Sequence, residues 1–524
     1  MSDSPGRLSW TAILSASLLI ALFVSLFYLP LRPTAWGGSR GSGPFEEGTM
    51  PPAGRWARDV RIHLESFAKK RSPQSGIVAT AEALVGYYAL LVAAKLGVLW
   101  VVLFRLGRKS WLATLFTMAV ALPMFLGAPR QTDRDVGLLF FAILIGGTSC
   151  SRPPWRRTAL ALPVLFAVWA NAHASALLGW IWLGVITFGR SVEWWKAPSG
   201  STRPAVSRFL IAIVLCAGAM CANPDGPRIF VDAVLAAKNA NIGSLLDYQP
   251  IDFNGHNLLP WVYFGTIALL ILVQMIRARP FSPTSLFVVL SFGIWPLLQA
   301  RGVDYWWLIV GWVIVREFAS FRAPSVSAGE TVSPALTLGA LNSRGYFCWA
   351  LIAAFFIALL ATPFARWLIL GKPRAIEAIA TADTPTQLAS ELTGSDVLPE
   401  LRETVGTEYP NSRYRGAILC GEEQGDFLAW VLDGDNDRPV MLYTRPETLG
   451  RDHWAECRRV LDGSSDWWEI TGRHQTNLIV IVPERFPKLA ERLRRAKEWR
   501  TVQDDVLLIA VRREPRLPAE LMGP

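Results

Sequence analysis

The sequence predicts an α-helical polytopic membrane protein with a soluble α/β domain at its C-terminal end. Three observations predict it. The chain has 524 residues, a mean hydropathy of +0.30, 52% hydrophobic residues and 18% charged ones, which is too apolar for a water-soluble protein. Its apolar residues gather into about eleven runs of near-membrane length. Lys and Arg collect in every second loop between those runs, as they do on the cytoplasmic side of a bilayer.

In order, the runs cover residues 10–29, 77–104, 111–126, 136–150, 158–172, 176–188, 209–222, 258–276, 281–298, 305–315 and 346–370. The first follows Arg7 and has no small-residue cleavage site after it, so it reads as a span and not as a removed signal. The second is long and carries Glu82 and Lys95, as expected of a surface helix leading into a span. With the N-terminus cytoplasmic, the inside loops hold Arg105, Arg108 and Lys109, then Arg152, Arg156 and Arg157, then Arg190, Lys196, Arg203 and Arg208, then Arg277 and Arg279, then Arg316, Arg322 and Arg344. In the outside loops Arg130 and Arg134 are balanced by Asp133 and Asp135, and residues 223–257 carry four Asp. The first outer loop, residues 30–76, is basic but long enough to be translocated regardless of charge.

An odd number of spans puts residues 371–524 outside, in the periplasm of a bacterium. Short apolar runs at 416–420, 427–432, 440–443, 477–482 and 506–511 read as strands, and residues 447–461 and 486–499 have helical spacing with charged faces. The domains are therefore 1–370, a transmembrane body, and 371–524, an extracytoplasmic α/β domain.

The net charge of +10 and pI near 9.5 do not indicate nucleic-acid binding, because the basic residues fall on the cytoplasmic loops. The six cysteines contain no CxxC pair and no Cys/His cluster at zinc spacing; Cys420 and Cys457 alone lie far enough outside apolar runs to bridge, and spacing does not say whether they meet. Phosphate-loop, nucleophile-elbow and zinc-protease signatures are absent.

Chemistry is concentrated in four polar clusters on the outer side. Asn171 and His173 sit between two apolar runs in WANAHASALLG; a histidine there can act as acid, base or phosphate ligand, and equally Asn171 can cap a helical turn. NPDGPR follows the run at 209–222; its Pro and Gly make a turn, which explains Asp225 but does not require Arg228. Arg301 and Asp304 stand at the entrance of another run, where Arg301 either grips a phosphate with two parallel hydrogen bonds or pairs with Asp304. The first outer loop holds Glu46, Glu47, Asp59 and Glu65, which either activate an acceptor hydroxyl or hold a metal, or are simply solvated.

These stretches resemble bacterial polytopic proteins of the GT-C superfamily of lipid-linked-sugar, mannosyltransferase-like glycosyltransferases. WANAHASALLG resembles the W-x-N-x-H-G segment of such proteins, NPDGPR their N-P-Y-G turn and LLDYQPIDF the following E-W-x-P-x-D-F stretch. In the tail, GEEQGDFLAWVL with RPVMLYTRPETLG, and AKEWRTVQDDVLLIAVRR, resemble the family's closing motifs. The likeness runs in order from residue 158 to residue 513. Where the family has a glycine pair after its histidine, this chain has Ala174 and Ser175; the turn tyrosine is Asp225, and Tyr248 and Gln249 stand before the proline.

The resemblance implies transfer of a sugar from a polyprenyl-phosphate donor to a glycan, lipid or protein acceptor on the outer face of the bacterial cytoplasmic membrane. It implies a first-loop carboxylate as base, here Asp59, Glu46 or Glu47, and often a divalent cation. His173 would be catalytic, stabilising the departing lipid phosphate together with Arg228 and Arg301, and Asn171, Asp225, Arg228, Arg301 and Asp304 would bind the substrates. Two alternatives stay open: a ligase for lipid-linked glycans, which needs no loop carboxylate, and a non-catalytic membrane protein that displays the tail as an interaction module.

Overall fold

In this computed structural model the described residues are 76–106, 134–149, 155–196, 203–223, 226–231, 249–251, 259–276, 280–321, 362–374, 379–393, 416–432, 439–443, 449–504 and 506–514, with a few shorter stretches between them. The runs at 10–29 and 111–126, apart from Tyr28, lie outside them, as do Glu46, Glu47, Asp59 and Asp225.

The N-terminal body is helical. Its helices are α1 (Gly76–Leu106), α2 (Arg134–Ser149), α3 (Trp155–Ala172), α4 (Ala176–Lys196), α5 (Arg203–Met220), α6 (Leu259–Ile276), α7 (Pro283–Gly293), α8 (Trp295–Leu298), α9 (Gly302–Phe321) and α10 (Pro363–Leu370). Among the described residues one helix, Val78–Val98, is both long and apolar enough to cross a membrane, and the other apolar helices are shorter. Many of these helices turn large apolar side chains outward: Leu160, Val214, Met275, Leu298 and Ile357 are each more than 60% exposed.

Local chemistry sets the helix limits. Ser282 caps α7 by accepting from the Ser285 N–H, with Pro283 at the first helical position. Thr362 caps α10 in the same way, and Gly371 ends it in the left-handed conformation at φ 69°, which a side chain would resist.

Side-chain contacts fix the direction in which each helix runs. Thr148 of α2 accepts from Trp182 Nε1 of α4 at 3.3 Å, and nearer the start of α2 Gly137 faces Ser175, so α2 and α4 run the same way. Phe209 near the start of α5 lies under Arg190 near the end of α4, at 4.3 Å from ring centre to guanidinium, so α5 runs back. The Thr284 N–H of α7 donates to Glu193 Oε1 of α4 at 3.1 Å, whereas Phe292 meets Trp182, so α7 also runs back. Tyr305 meets Phe141 and Trp312 Nε1 donates to Ser149 Oγ at 2.7 Å, so α9 runs with α2. The body thus has two polar ends. One holds residues 171–175, 221–223, 226–228 and 293–304. The other holds Arg190, Glu193, Ser282, Ser285, Arg316 and Glu317, where Glu317 accepts from Ser282 and Ser285 at 3.0 and 2.5 Å and ties α9 to the start of α7.

The tail is α/β. After α11 (Thr386–Thr393) come β1 (Ala417–Cys420), α12 (Glu422–Val431), α13 (Arg451–Leu461), α14 (Trp467–Arg473), β2 (Thr476–Ile481), α15 (Pro487–Arg495), β3 (Trp499–Asp504) and β4 (Leu507–Arg512). The strand order is β1-β2-β4-β3, with β1 parallel to β2 and the other pairs antiparallel. Every residue of β2 and β4 is buried, so both faces of the sheet are covered.

Three expectations are corrected here. Residues 427–432 belong to α12 and its C-cap, not to a strand; Glu422 and Glu423 in the first turn suit the positive end of a helix, and a six-residue apolar run alone does not separate the two states. Residue 440 makes a single bridge to Ile418. The helix expected over 486–499 stops at Arg495, and Trp499 opens β3. Cys420 and Cys457 are both buried and unbridged, and burial raises both thiol pKa values.

Candidate active site at the His173 end

The turn between α3 and α4 takes three residues, and its side chains form a chain of hydrogen bonds. Trp169 Nε1 donates to Ser175 Oγ at 3.0 Å. Ser175 Oγ lies 2.8 Å from His173 Nδ1, and the Ser175 backbone N–H donates to the same nitrogen at 3.1 Å. An indole N–H only donates, so Ser175 Oγ accepts from Trp169 and has its single proton to give. His173 Nδ1 therefore accepts twice. The imidazole is neutral and carries its proton on Nε2, a donor suited to an anionic oxygen.

Helix α2 presses on this pair. A Cβ on Gly137 would sit 2.2 Å from Ser175 Oγ and 2.8 Å from His173 Nδ1, so only glycine fits there. Two residues earlier in α2, Asp135 Oδ1 receives Lys95 Nζ of α1 at 2.6 Å, with both side chains no more than 10% exposed. An ion pair held this far from water is costly to break from one side only.

Asn171 acts as a staple. Its Nδ2 donates to Ala167 O at 2.8 Å and to Ala222 O at 3.1 Å, tying the end of α3 to the end of α5. Asn223 likewise donates to Gly226 O at 3.2 Å, and Gly226 adopts φ 55° in the turn that presents Arg228, an exposed residue. Arg301 Nε donates to Gln299 Oε1 at 3.0 Å, the same oxygen that accepts Trp295 Nε1 at 3.1 Å. Gln299 thus fixes the stem of the guanidinium, and Asp304 is half-buried in the first turn of α9.

Of the residues expected from sequence, Asn171, His173, Arg228, Arg301 and Asp304 stand at one end of the body. Glu46, Glu47, Asp59 and Asp225 lie outside the described residues. Sequence reasoning missed Ser175, Gly137, Gln299 and the Lys95–Asp135 pair. A lysine inside a long apolar run was the available signal, since such a charge needs a partner. Among the described residues no group of three or more His, Cys, Asp or Glu side chains is arranged to hold a metal ion, and Asp135 is already matched by Lys95.

Among the described residues, Arg374, just after α10, grips Glu82 of α1, and Asn241 Nδ2 donates to Leu449 O at 3.2 Å, so the tail meets the body.

No protein-family model matches the chain, and no curated protein matches it in sequence. Solved structures similar to it include the Archaeoglobus fulgidus oligosaccharyltransferase in the apo form, at 10% identity over 92% of this chain and 71% of that one, with a TM-score of 0.49. The archaeal oligosaccharyltransferase AglB of Archaeoglobus fulgidus, in complex with an inhibitory peptide and a dolichol-phosphate, has the same identity and coverage and a TM-score of 0.47. ArnT from Cupriavidus metallidurans bound to undecaprenyl phosphate is 13% identical over 98% of this chain and 99% of that one, with a TM-score of 0.45. Identities of 10–13% at TM-scores below 0.5 carry no superfamily, donor or acceptor across to this chain.

Proposed function

We propose that the chain is a GT-C-like membrane glycosyltransferase that moves a sugar from a polyprenyl-phosphate donor to an acceptor on the outer face of the bacterial cytoplasmic membrane. The outward-facing apolar side chains of its helices suit a bilayer, and the basic end at Arg190 and Arg316 suits the cytoplasmic side. The tail then lies outside, over the His173 end.

The observation that carries the reading is the neutral His173, its Nε2 protonated by the Ser175 arrangement, at the same end of the body as Arg228 and Arg301. Transfer breaks the bond between the sugar C1 and a phosphate oxygen, and the negative charge develops on that phosphate. An Nε2–H donor and two guanidinium groups are the donors such a leaving group needs. The acceptor proton passes to a first-loop carboxylate, Asp59, Glu46 or Glu47. A divalent cation, where bound, would neutralise the phosphate further.

The test is turnover of polyprenyl-phosphate sugars by protein reconstituted in bilayers, with His173→Ala, Arg301→Ala and Asp59→Asn variants compared at equal folded amount. Loss of turnover in the His173 and Arg301 variants is expected. Undiminished rates in both would sink the assignment.

A further inference from the structure

The tail carries a surface that the transfer reading does not use. Between residues 484 and 500 the chain has seven basic residues against three acidic ones. Helix α15 buries Leu489, Ala490 and Leu493 and turns Lys488, Arg492, Arg494 and Arg495 outward, with Arg495 paired to Glu491 of the same helix and Arg494 donating to Gln503 Oε1 at 2.8 Å. Arg492 Nη1 reaches across to Ser464 O at 2.9 Å, in the loop that leads into α14, and a Cβ on Gly463 in that loop would touch Lys488. Four residues past Ser464 is Trp468, 57% exposed, while its neighbour Trp467 is packed on Trp499. Arg459 and Arg473 flank the same loop and helix but are already paired, Arg459 with Asp466 and Arg473 with Glu456 and Glu469.

An exposed indole on the same domain as a basic helix face supplies a flat apolar platform and positive charge together. We infer that Trp468 and the basic face of α15 form a binding surface for an anionic glycan. The flat indole stacks on the C–H face of a sugar ring, and the lysine and arginine groups take the carboxylates or phosphates of the polymer. The placement disfavours the bilayer as partner. The tail meets the helical body through Leu449 and Arg374, and within the tail Gln424 Nε2 of α12, which packs on β1, donates to Asp383 O, nine residues after Arg374; α15 packs on β3, at the opposite edge of the sheet.

The inference concerns binding alone, so it stands or falls separately from turnover. The experiment uses the full chain in detergent and a fluorescein-labelled alginate oligosaccharide, with neutral dextran, single-stranded DNA and phosphatidylglycerol vesicles as comparison ligands. Alginate should bind, more weakly as salt rises. Trp468→Ala should weaken binding by roughly tenfold with the salt dependence unchanged, as loss of a stacking platform does. Lys488→Gln/Arg495→Gln/Lys497→Gln should weaken it by about tenfold and flatten the salt dependence, as loss of ionic contacts does. All four side chains are exposed, so melting temperatures close to that of the wild type should confirm folding. Absence of alginate binding, equal binding of DNA, vesicle binding of comparable strength, or indifference to Trp468→Ala would each overturn the assignment.

Discussion

Arg374 closes a two-pronged ion pair on Glu82, with Nε to Oε1 at 2.7 Å and Nη2 to Oε2 at 3.0 Å, and adds its own backbone N–H to Oε1 at 3.2 Å. Glu82 is fully buried in α1, and Arg374 is the fourth residue after the end of α10, so this contact hands the chain from body to tail. Phe364 reinforces it by packing where Gly86 has no side chain. Removing one partner strands a buried charge, so Glu82→Gln or Arg374→Met should cost about 3–5 kcal/mol, whereas the double change Glu82→Leu/Arg374→Met should cost less than either. Hydrogen exchange of residues 362–374 in the three variants checks the order; a double change as costly as the sum of the two single changes would show that the pair contributes no coupling.

Gly137 is the second lever. Any side chain there collides with Ser175 Oγ and His173 Nδ1, whereas Gly147 and Gly184 have open space around them. Gly137→Ala should therefore lower turnover by at least about tenfold through a misplaced imidazole, the scale of a small displacement at a reacting centre. Gly147→Ala and Gly184→Ala should leave turnover unchanged and raise stability slightly, because both replace a helix-interior glycine. A Gly137→Ala protein with normal rates would show that the His173–Ser175 geometry does not matter.

The histidine tautomer has a direct readout. Nitrogen-15 spectra of protein labelled at histidine should show His173 with Nδ1 unprotonated and Nε2 protonated near neutral pH. Ser175→Ala removes one donor and leaves the backbone N–H, so the Nδ1 signal should move without a tautomer change. A protonated Nδ1 in the wild type would reverse the proposed direction of donation toward the leaving group.

What could be read from the sequence follows from what is local. The apolar runs at 158–172 and 176–188 match α3 and α4, and the polar break at 173–175 matches their turn, because periodicity and chain breaks are properties of neighbouring residues. Asn171 and His173 were visible for the same reason. The partner of Lys95 was not, since Asp135 is forty residues away and residue type does not record such pairings. Ser175 looked like a mere departure from a glycine pair, yet its hydroxyl links Trp169 Nε1 to His173 Nδ1, a role that depends on the angle of a turn. FLAWVL shows the same limit in the tail: six apolar residues suit a strand as well as a helix, and the long-range fit that accompanies the helix, Gly425 lying against the Leu442 carbonyl where a side chain would collide, is not a property of neighbouring residues.

The Lys95–Asp135 pair separates neutralisation from positioning. Lys95→Met leaves Asp135 buried with its charge unmatched and should cost about 3–5 kcal/mol, while Lys95→Met/Asp135→Leu should recover much of that loss. If the pair also holds the start of α2 against the His173 turn, the double variant should regain stability and still turn over slowly. Thermal melting alongside single-turnover rates distinguishes the two, and full recovery of both would confine the pair to a structural role.

Acid should loosen the tail through Glu456. Burial pushes its carboxyl up, but the hydrogen bond and charge of His474, with the charges of Arg473 and Arg459, outweigh it and hold the pKa below the ordinary value. His474 Nε2 lies 2.6 Å from Glu456 Oε2, and Arg473 contacts Oε1, so α13 is tied to the end of α14. A carboxyl whose folded pKa lies below its unfolded value of about 4.3 contributes stability that is fully present above that value and is lost as pH falls through the folded pKa. The wild-type tail should therefore melt at a progressively lower temperature below about pH 4.3. Glu456→Gln should start from a lower melting point at neutral pH and show a shallower decline in acid. Hydrogen exchange across residues 451–482 of the full chain, recorded from pH 7 downward, reads both effects; an equally steep acid decline in the variant would assign the loss to other carboxylates.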